Sequence, residues 1–299
     1  MCAELKHGLH FETKTAVTKT TKDFLEETLL ILVIYRCVPE KSATWSSLVR
    51  EAAKVEATIH VFVYDNSPEP QHFSPSPFIR MEYKHNPHNP GVSKAYNEGC
   101  AMALAKEKRW LLLLDQDTSF PTGWLAAYFH NTVEEPLSLI RAPILSSGSF
   151  IISPFLYWLT KGVPSRRVEP GVYSLHRYFA VNSGLLIDRN VFESVGGYDE
   201  AIPLDFSDFA FMNKLKKDKY RLNVIELQGQ HRLSSISKMD ESNAKQRFNQ
   251  YCLGSKQLTA YTRQSILHFF LGGARAIRLG IQYRSLNFVA ILIQSWVTG

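Results

Sequence analysis

Cysteine is scarce and scattered in this 299-residue chain: Cys2, Cys37, Cys100 and Cys252 lie far apart and form no C-x-x-C pair. That argues against a zinc site or a disulfide scaffold and fits a reducing, cytoplasmic setting. Long apolar runs are also missing. The longest candidate, Phe288 to Ile293, falls far short of the roughly 18 residues expected of a spanning helix. Residues 1–25 are polar and rich in Thr and Lys. Without the apolar stretch of a secretory leader, they are expected to form a loose, flexible arm. No internal repeat or low-complexity linker breaks the chain. No G-x-G-x-x-G follows the first apolar run, where Tyr35-Arg36-Cys37-Val38-Pro39 stands instead, which ranks a dinucleotide-binding dehydrogenase low.

What is present suits a folded enzyme. With 45% hydrophobic and 21% charged residues, the chain can bury one large α/β core, with or without a small appendage. The net charge of +6 favours anionic partners such as nucleoside diphosphates, acidic lipid or nucleic acid. No recognisable nucleic-acid module accompanies it, so nucleic acid is not an expected partner.

Leu29–Tyr35, Ile59–Tyr64 and Trp110–Leu114 read as strands buried on both faces, and Ile79–Tyr83 as a further strand. Thr44–Ala57 and Gly91–Lys106 read as helices between them. This alternation predicts an α/β fold with a mostly parallel central sheet flanked by helices. Beyond about residue 135 shorter β-like runs follow (139–145, 172–179, 183–187 and 222–227), with a helix over 208–217 and mainly helix from 242 onwards. The expected organisation is an arm over 1–25, a catalytic domain over 26–260 and a helical C-terminal extension over 261–299.

The most informative feature is Asp115-Gln116-Asp117, directly after Trp110–Leu114. Two carboxylates at the end of a buried strand are costly without a cation or polar partner, and this edge of a parallel sheet is where ligands bind. The spacing suits a hard divalent ion, Mg²⁺ or Mn²⁺, with a diphosphate; an exposed turn through Thr118-Ser119 is the equal alternative. Asp65, ending the second strand, can accept hydrogen bonds from a base or ribose, although alone it reads more readily as a turn former. Asn89-Pro90-Gly91-Val92-Ser93-Lys94 opens a helix, where backbone N–H groups and Lys94 could meet a phosphate; an ordinary helix start is the alternative. Asp205 and Asp208 would lie one helical turn apart, close enough to raise one another's proton affinity as a general base requires; a simple N-cap competes. His231 could add an imidazole to a cation held by Asp.

Taken together and in order, these segments resemble an inverting glycosyltransferase of family 2 with the GT-A fold, over roughly residues 28 to 260. The resemblance implies that Tyr35 and Asp65 contact the nucleoside. Asn89-x-Gly91-x-Ser93-x-Ala95-x-Asn97, with Lys94, would close over the nucleotide. Asp115-Gln116-Asp117 becomes the Asp-x-Asp motif, with Asp117 on the metal and Asp115 assisting at ribose or metal. Gly196-Gly197-Tyr198-Asp199-Glu200 becomes the acceptor-side loop, Asp208 the catalytic base, with Asp205 beside it, and His231 the residue that meets the metal and diphosphate. Asn182-Ser183-Gly184 and Asp205-x-x-Asp208 look most like bacterial rhamnosyltransferases of surface polysaccharide synthesis. Three positions depart from the family's pattern: Arg36 where a small polar residue is usual, Ala210 where an acid is common, and Lys214 where Arg is common.

The implied chemistry is transfer of a sugar, rhamnose favoured, from a nucleotide-diphosphate donor such as dTDP-rhamnose or a UDP-sugar to a saccharide or lipid-linked acceptor, with inversion. The alternative is another hexose moved from a UDP-sugar to a capsule or exopolysaccharide. A pyrophosphorylase would need a Gly-rich basic loop after the first strand, and a glycosidase would leave the nucleotide-type loops unexplained. Ile266, Leu267, Phe270, Ala274, Ile277 and Ile281 recur at helical spacing among Arg263, Arg275, Arg278 and Arg284, with an apolar end at Phe288–Ile293 and Trp296. A basic amphipathic segment of this kind suits the inner face of the cytoplasmic membrane; packing against the catalytic domain is the equal alternative.

Overall fold

Three apolar segments become the centre of a sheet because both of their faces are covered. The computed structural model describes residues 20–55, 57–158, 161–232 and 240–297. In it β1 (Thr28–Ile34), β2 (Ile59–Asp65) and β4 (Trp110–Asp115) are parallel neighbours with β1 in the middle. Side chains alternate across a strand. Leu29, Ile31, Val33, Leu111 and Leu113 therefore enter one core, while Leu30, Leu32, Leu112 and Leu114 enter the other. α3 (Val92–Ala105), α5 (Arg189–Ser194) and α6 (Ser207–Lys217) close the first through Tyr96, Phe192 and Phe211. α1 (Thr21–Glu26), α2 (Ala43–Val55) and α4 (Trp124–Glu134) close the second through Phe24, Leu48 and Trp124.

The parallel pairing expected throughout holds only in the N-terminal half, where β3 (Ile79–His85) lies outside β2. Past β4 the sheet turns mixed. β11 (Leu185–Asp188) runs antiparallel to both β4 and β6 (Ile140–Ser147). β7 (Phe150–Trp158) pairs antiparallel with β6, β8 (Lys161–Ser165) and β10 (Tyr178–Phe179). The physical reason is connection length: parallel neighbours need a crossover of a dozen or more residues, and several of these strands are joined by short turns. β12 (Arg221–His231) lies parallel to β6 and antiparallel to β5 (Thr118–Ser119) and β9 (Gly171–Ser174). It is longer than the 222–227 expectation, so His231 ends the strand instead of following it.

Two boundaries also differ. The last residues of the expected arm form α1, whose start carries a capping box: Asp23 N–H donates to Thr20 Oγ1 at 3.2 Å and Thr20 N–H to the Asp23 carboxylate at 2.8 Å. Phe24 and Leu25 anchor it in the core; residues 1–19 lie outside the described residues. The C-terminal bundle begins with α7 (Glu241–Thr262), before the boundary expected at residue 260, and continues as α8 (Ser265–Tyr283) and α9 (Asn287–Val297). Its own small core gathers Phe248, Cys252, Ala276, Leu279, Phe288 and Leu292. α7 also packs on the sheet-bearing part of the chain, with Leu258 against Ile202 and Ala210.

One glycine fixes how two loops meet. Gly91 has φ +91°, and a Cβ there would stand 2.1 Å from the Pro203 carbonyl oxygen, which already accepts the Val92 N–H at 2.7 Å. Gly91→Ala should cost about 2–4 kcal/mol, because neither backbone can yield. Gly196→Ala, at φ +74° with open space around it, should cost only the conformational strain of about 1–2 kcal/mol. Urea unfolding midpoints of the two variants check the difference.

Candidate active site

The site is built on the carboxyl edge of the parallel strands. Val33 of β1 registers with Asp115, and Ile34 with Asp65, so both acids flank the end of one buried strand. The loop after β4 is held from several sides. Tyr96, from α3, donates its hydroxyl to Asp115 Oδ1 at 2.6 Å, and Asp115 N–H donates to Ser183 Oγ at 3.3 Å. The Thr44 hydroxyl lies against the Asp115 and Thr118 carbonyls and accepts Thr118 N–H at 3.1 Å. Gln116 is a framework residue: its amide accepts Tyr35 N–H at 2.7 Å and donates to Tyr35 O at 3.3 Å. Both ends of the group expected to meet the nucleotide are engaged by backbone.

Asp117 is left facing inwards. The β5–β12 ladder sets His231 opposite Thr118, with His231 Nδ1 2.8 Å from Thr118 Oγ1 and 3.4 Å from Asp117 Oδ1. That Asp117 oxygen is buried and has no hydrogen-bond partner. Burial pushes its carboxyl up to about 6; the nearby His231 opposes the rise and Asp115 adds to it. A carboxylate oxygen buried without a donor, beside an imidazole, fits a divalent cation. The three-ligand cluster of Asp115, Asp117 and His231 does not form, however. Among the described residues no three His, Cys, Asp or Glu side chains gather as a metal cage, because Asp115 is turned to Tyr96.

Asp208 sits in the first turn of α6. Asp205 precedes that helix, so the two acids are not stacked on one helical face as expected. They still interact. Burial raises the Asp208 carboxyl to about 7; the Phe209 N–H, at 2.8 Å, opposes the rise, and Asp115 and then Asp205 add to it. Tyr198, whose ring lies 5.2 Å from that of Tyr96, links the α6 side of the site to the Tyr96–Asp115 pair at the β4 edge. Asp205 pairs with Arg247 of α7 at 2.8 Å, while Asp205 Oδ2 and Arg247 Nε are buried without partners. Around Asp208, Tyr198 stacks on Phe211 at 4.1 Å and donates to Asn182 Oδ1 at 2.7 Å, and Asn182 in turn donates to Ser207 Oγ at 3.2 Å.

The residues expected on the nucleotide divide. Asp65 is fully buried and accepts Ser67 N–H, Gln71 N–H (both 2.8 Å) and the Tyr83 hydroxyl at 2.5 Å, which is the turn-building role. Tyr35 leaves its ring 40% exposed beneath the Arg36 guanidinium, 5.2 Å from the ring centre. Arg36 takes φ +48° and donates its N–H to Ser67 Oγ at 2.7 Å, a left-handed position that explains why a small polar residue is usual there. A cleft of about 390 Å³ opens here between Arg36, Cys37 and Lys41 on one side and Ser67, Glu69 and Gln71 on the other. The Cys37 thiol is raised by burial first and by Asp117 second. Asn89 is exposed at φ +47°. Gly91 packs on Pro203 and Lys94 pairs with Glu200 at 3.1 Å. The Asn89–Asn97 segment thus joins the Gly196–Glu200 loop, an arrangement Asn97 completes by accepting Tyr198 N–H at 2.8 Å and donating to Tyr198 O at 3.0 Å.

The other two departures from the family pattern have local reasons. Ala210 is buried against Ile202 and Leu258, where an acid would be desolvated. Lys214 donates to the Gly197 carbonyl at 2.7 Å and the Gly196 carbonyl at 3.3 Å, holding the double-glycine turn. Sequence reasoning missed Arg247 and Tyr261, whose hydroxyl donates to Asp199 at 2.8 Å, and Tyr96. The one available signal was the absence of any acid after Glu241, which leaves a half-buried Arg247 to find its carboxylate elsewhere.

Residues 47–150 match the family model described as Glycosyl transferase family 2. That span holds Asp65, the Asn89–Asn97 segment and Asp115–Asp117, while Tyr35, Asp208 and His231 lie outside it. No curated protein resembles the chain closely enough to count as a match. Among solved structures, GalNAc-T7 with UDP, GalNAc and Mn²⁺ is 15% identical with a TM-score of 0.51, covering 90% of this chain and 57% of its own. S. aureus TarS 1-349 with UDP-GlcNAc is 13% identical, TM-score 0.50, covering 90% and 81%. The mannosyltransferase PcManGT of Pyrobaculum calidifontis with GDP-Man and Mn²⁺ is 10% identical, TM-score 0.51, covering 91% and 86%. The chain spans little more than half the length of GalNAc-T7, and at these identities the likeness is one of fold. The chain shares the fold of these solved glycosyltransferases, and its residues 47–150 resemble the family-2 model.

The elevated Asp208 carboxyl makes a stability prediction. In the unfolded chain it ionises near the ordinary carboxylate range, about 4, but in the folded protein only near 7. Between those values unfolding releases a proton, so the protein loses stability as pH rises through that window. Asp208→Asn, which never ionises, should match the parent's melting temperature at pH 4 and exceed it at pH 8. Equal melting temperatures at both values would show that Asp208 is not desolvated.

Proposed function

We propose that the chain transfers a sugar from a nucleoside-diphosphate donor to a hydroxyl of a saccharide or lipid-linked acceptor, with inversion at the anomeric carbon. The observation that carries this reading is Asp117 at the end of the buried parallel strand, with a donor-less buried oxygen 3.4 Å from His231; burial of the second acid, Asp208, raises its carboxyl to about 7. The family-2 match over 47–150, and the UDP-GlcNAc and GDP-Man bound in solved structures of the same fold, support the donor class.

In this mechanism Asp208 takes the proton from the acceptor hydroxyl as that oxygen attacks the sugar, a step general bases accelerate by about 10²–10⁴. A single displacement of this kind inverts the anomeric centre. Arg247 holds Asp205 beside it, and the Tyr198–Asn182–Ser207 network fixes the start of α6. Mg²⁺ or Mn²⁺ held by Asp117 and His231 would supply Lewis-acid stabilisation of the departing diphosphate. Tyr96 keeps Asp115 turned towards the ribose side, and the cleft beside Tyr35 and Arg36 would take the nucleoside.

Rhamnose carried on dTDP is the favoured donor, on the likeness of Asn182-Ser183-Gly184 and Asp205-x-x-Asp208 to rhamnosyltransferases of surface polysaccharide synthesis. A UDP-hexose moved to a capsule or exopolysaccharide is the alternative. A screen of dTDP-, UDP- and GDP-sugars, scored by release of nucleoside diphosphate with and without Mn²⁺, separates the two.

Asp208→Asn should lower transfer by about 10²–10⁴-fold while calorimetry finds donor binding unchanged. The parent's turnover should rise through about pH 7, as Asp208 loses its proton. Loss of donor binding with unimpaired turnover would reject the base assignment. Asp117→Asn should instead weaken Mn²⁺-dependent donor binding.

A further inference from the structure

Every unit of net positive charge in this protein resides in its C-terminal bundle. Residues 242–299 contain seven Lys and Arg and no Asp or Glu, whereas the remaining 241 residues carry 27 basic against 28 acidic side chains. The same bundle leaves apolar surface uncovered. Ile266, Phe270, Ile277 and Ile281 of α8 are 60–76% exposed. At the angular step of an α-helix they fall within an arc of roughly 60° and extend along about 22 Å of the axis. His268, Gly272, Ala276 and Leu279 occupy the opposite side and are buried. α8 is therefore docked by one face and presents the other. α9 repeats the pattern, with Leu292 buried while Ile293 and Val297 are 51% and 76% exposed. Contiguous apolar surface of this kind is uncommon on soluble monomers and marks an interaction site.

We infer that the exposed face of α8 and α9 is a docking surface for an anionic phospholipid bilayer. Arg278, beside the stripe, and Arg263 and Arg284, at the ends of α7 and α8, are exposed, so cations border the apolar residues, and the bundle's one carboxylate, Glu241 at the start of α7, pairs with Lys245 at 2.7 Å. That is the composition of a helix lying in a membrane interface. No helix among the described residues is long and apolar enough to cross one. The charge also decides between occupants. A second copy would bring another bundle of net charge +6 against this one, and like charges set face to face oppose association. An anionic headgroup layer is complementary to both the stripe and its rim. This inference does not depend on the transferase reading, since it concerns binding alone.

Co-sedimentation of the full chain with vesicles tests it. Binding should be strong to phosphatidylglycerol–phosphatidylcholine vesicles, weak to phosphatidylcholine alone, and diminished by salt. Arg278→Gln with Arg284→Gln should weaken it about fivefold per arginine. Phe270→Ser with Ile277→Ser and Ile281→Ser should abolish it while the melting temperature is kept, because these side chains are solvent-exposed. Equal binding to neutral and anionic vesicles, or retained binding by the triple variant, overturns the inference. So does a stable dimer of the parent that the triple variant dissociates, which would assign the face to a second copy. Donor-dependent release of nucleoside diphosphate in solution, measured separately, keeps a failure here distinct from a failure of the proposed activity.

Discussion

A carboxylate oxygen buried without a hydrogen-bond donor is the constraint around which this molecule is arranged. Asp117 Oδ1 is in that condition, and most of its surroundings serve to keep it there. Tyr96 removes Asp115 as a competitor, Thr44 fixes the backbone on both sides of the acid pair, and Gln116 fastens the loop to Tyr35. The β5–β12 ladder then delivers His231. An unsatisfied buried charge is expensive, and the family-2 match over 47–150 makes a ligand the natural reason to maintain one.

A second acid is handled in the opposite way. Asp208 is crowded by Asp115 and Asp205 and desolvated beside Tyr198 and Phe209, so that its proton is exchangeable near neutrality. Two carboxyl groups of the same chemistry are thus pushed into different working ranges by what surrounds them. The difference arises from placement: one lies on a loop after a buried strand, the other at the start of a helix.

Much of the architecture was legible in the sequence because its signal is local. Leu29–Tyr35, Ile59–Tyr64 and Trp110–Leu114 are apolar without interruption, and only strands covered on both faces accommodate that. The α6 and α7–α9 helices were equally readable. Pairing was not, since the antiparallel half depends on which short strands meet, a matter of long-range register. The site was legible in its residue types and less so in their roles. Asp65 and Gln116 stand at the expected edge, yet their hydrogen bonds go to the turn and to the Tyr35 backbone. Gly91 has a positive φ and a close approach, but to Pro203. Such distinctions depend on partners far away in the chain. Arg247 is the clearest case: its carboxylate lies 42 positions upstream, and no local pattern marks the pair.

The helical extension is joined to the chemistry more firmly than its position at the end of the chain implies. Arg247 reaches Asp205, Tyr261 reaches Asp199, and Gly254 lies so close to the Asp205 carbonyl that an added Cβ would stand 2.9 Å away. Three points along α7 therefore brace the 199–205 loop ahead of α6 like the rungs of a scaffold. The smallest fragment able to hold that loop in shape must extend through Tyr261, and a cut made where the family resemblance fades, near residue 260, would leave the last rung unfastened.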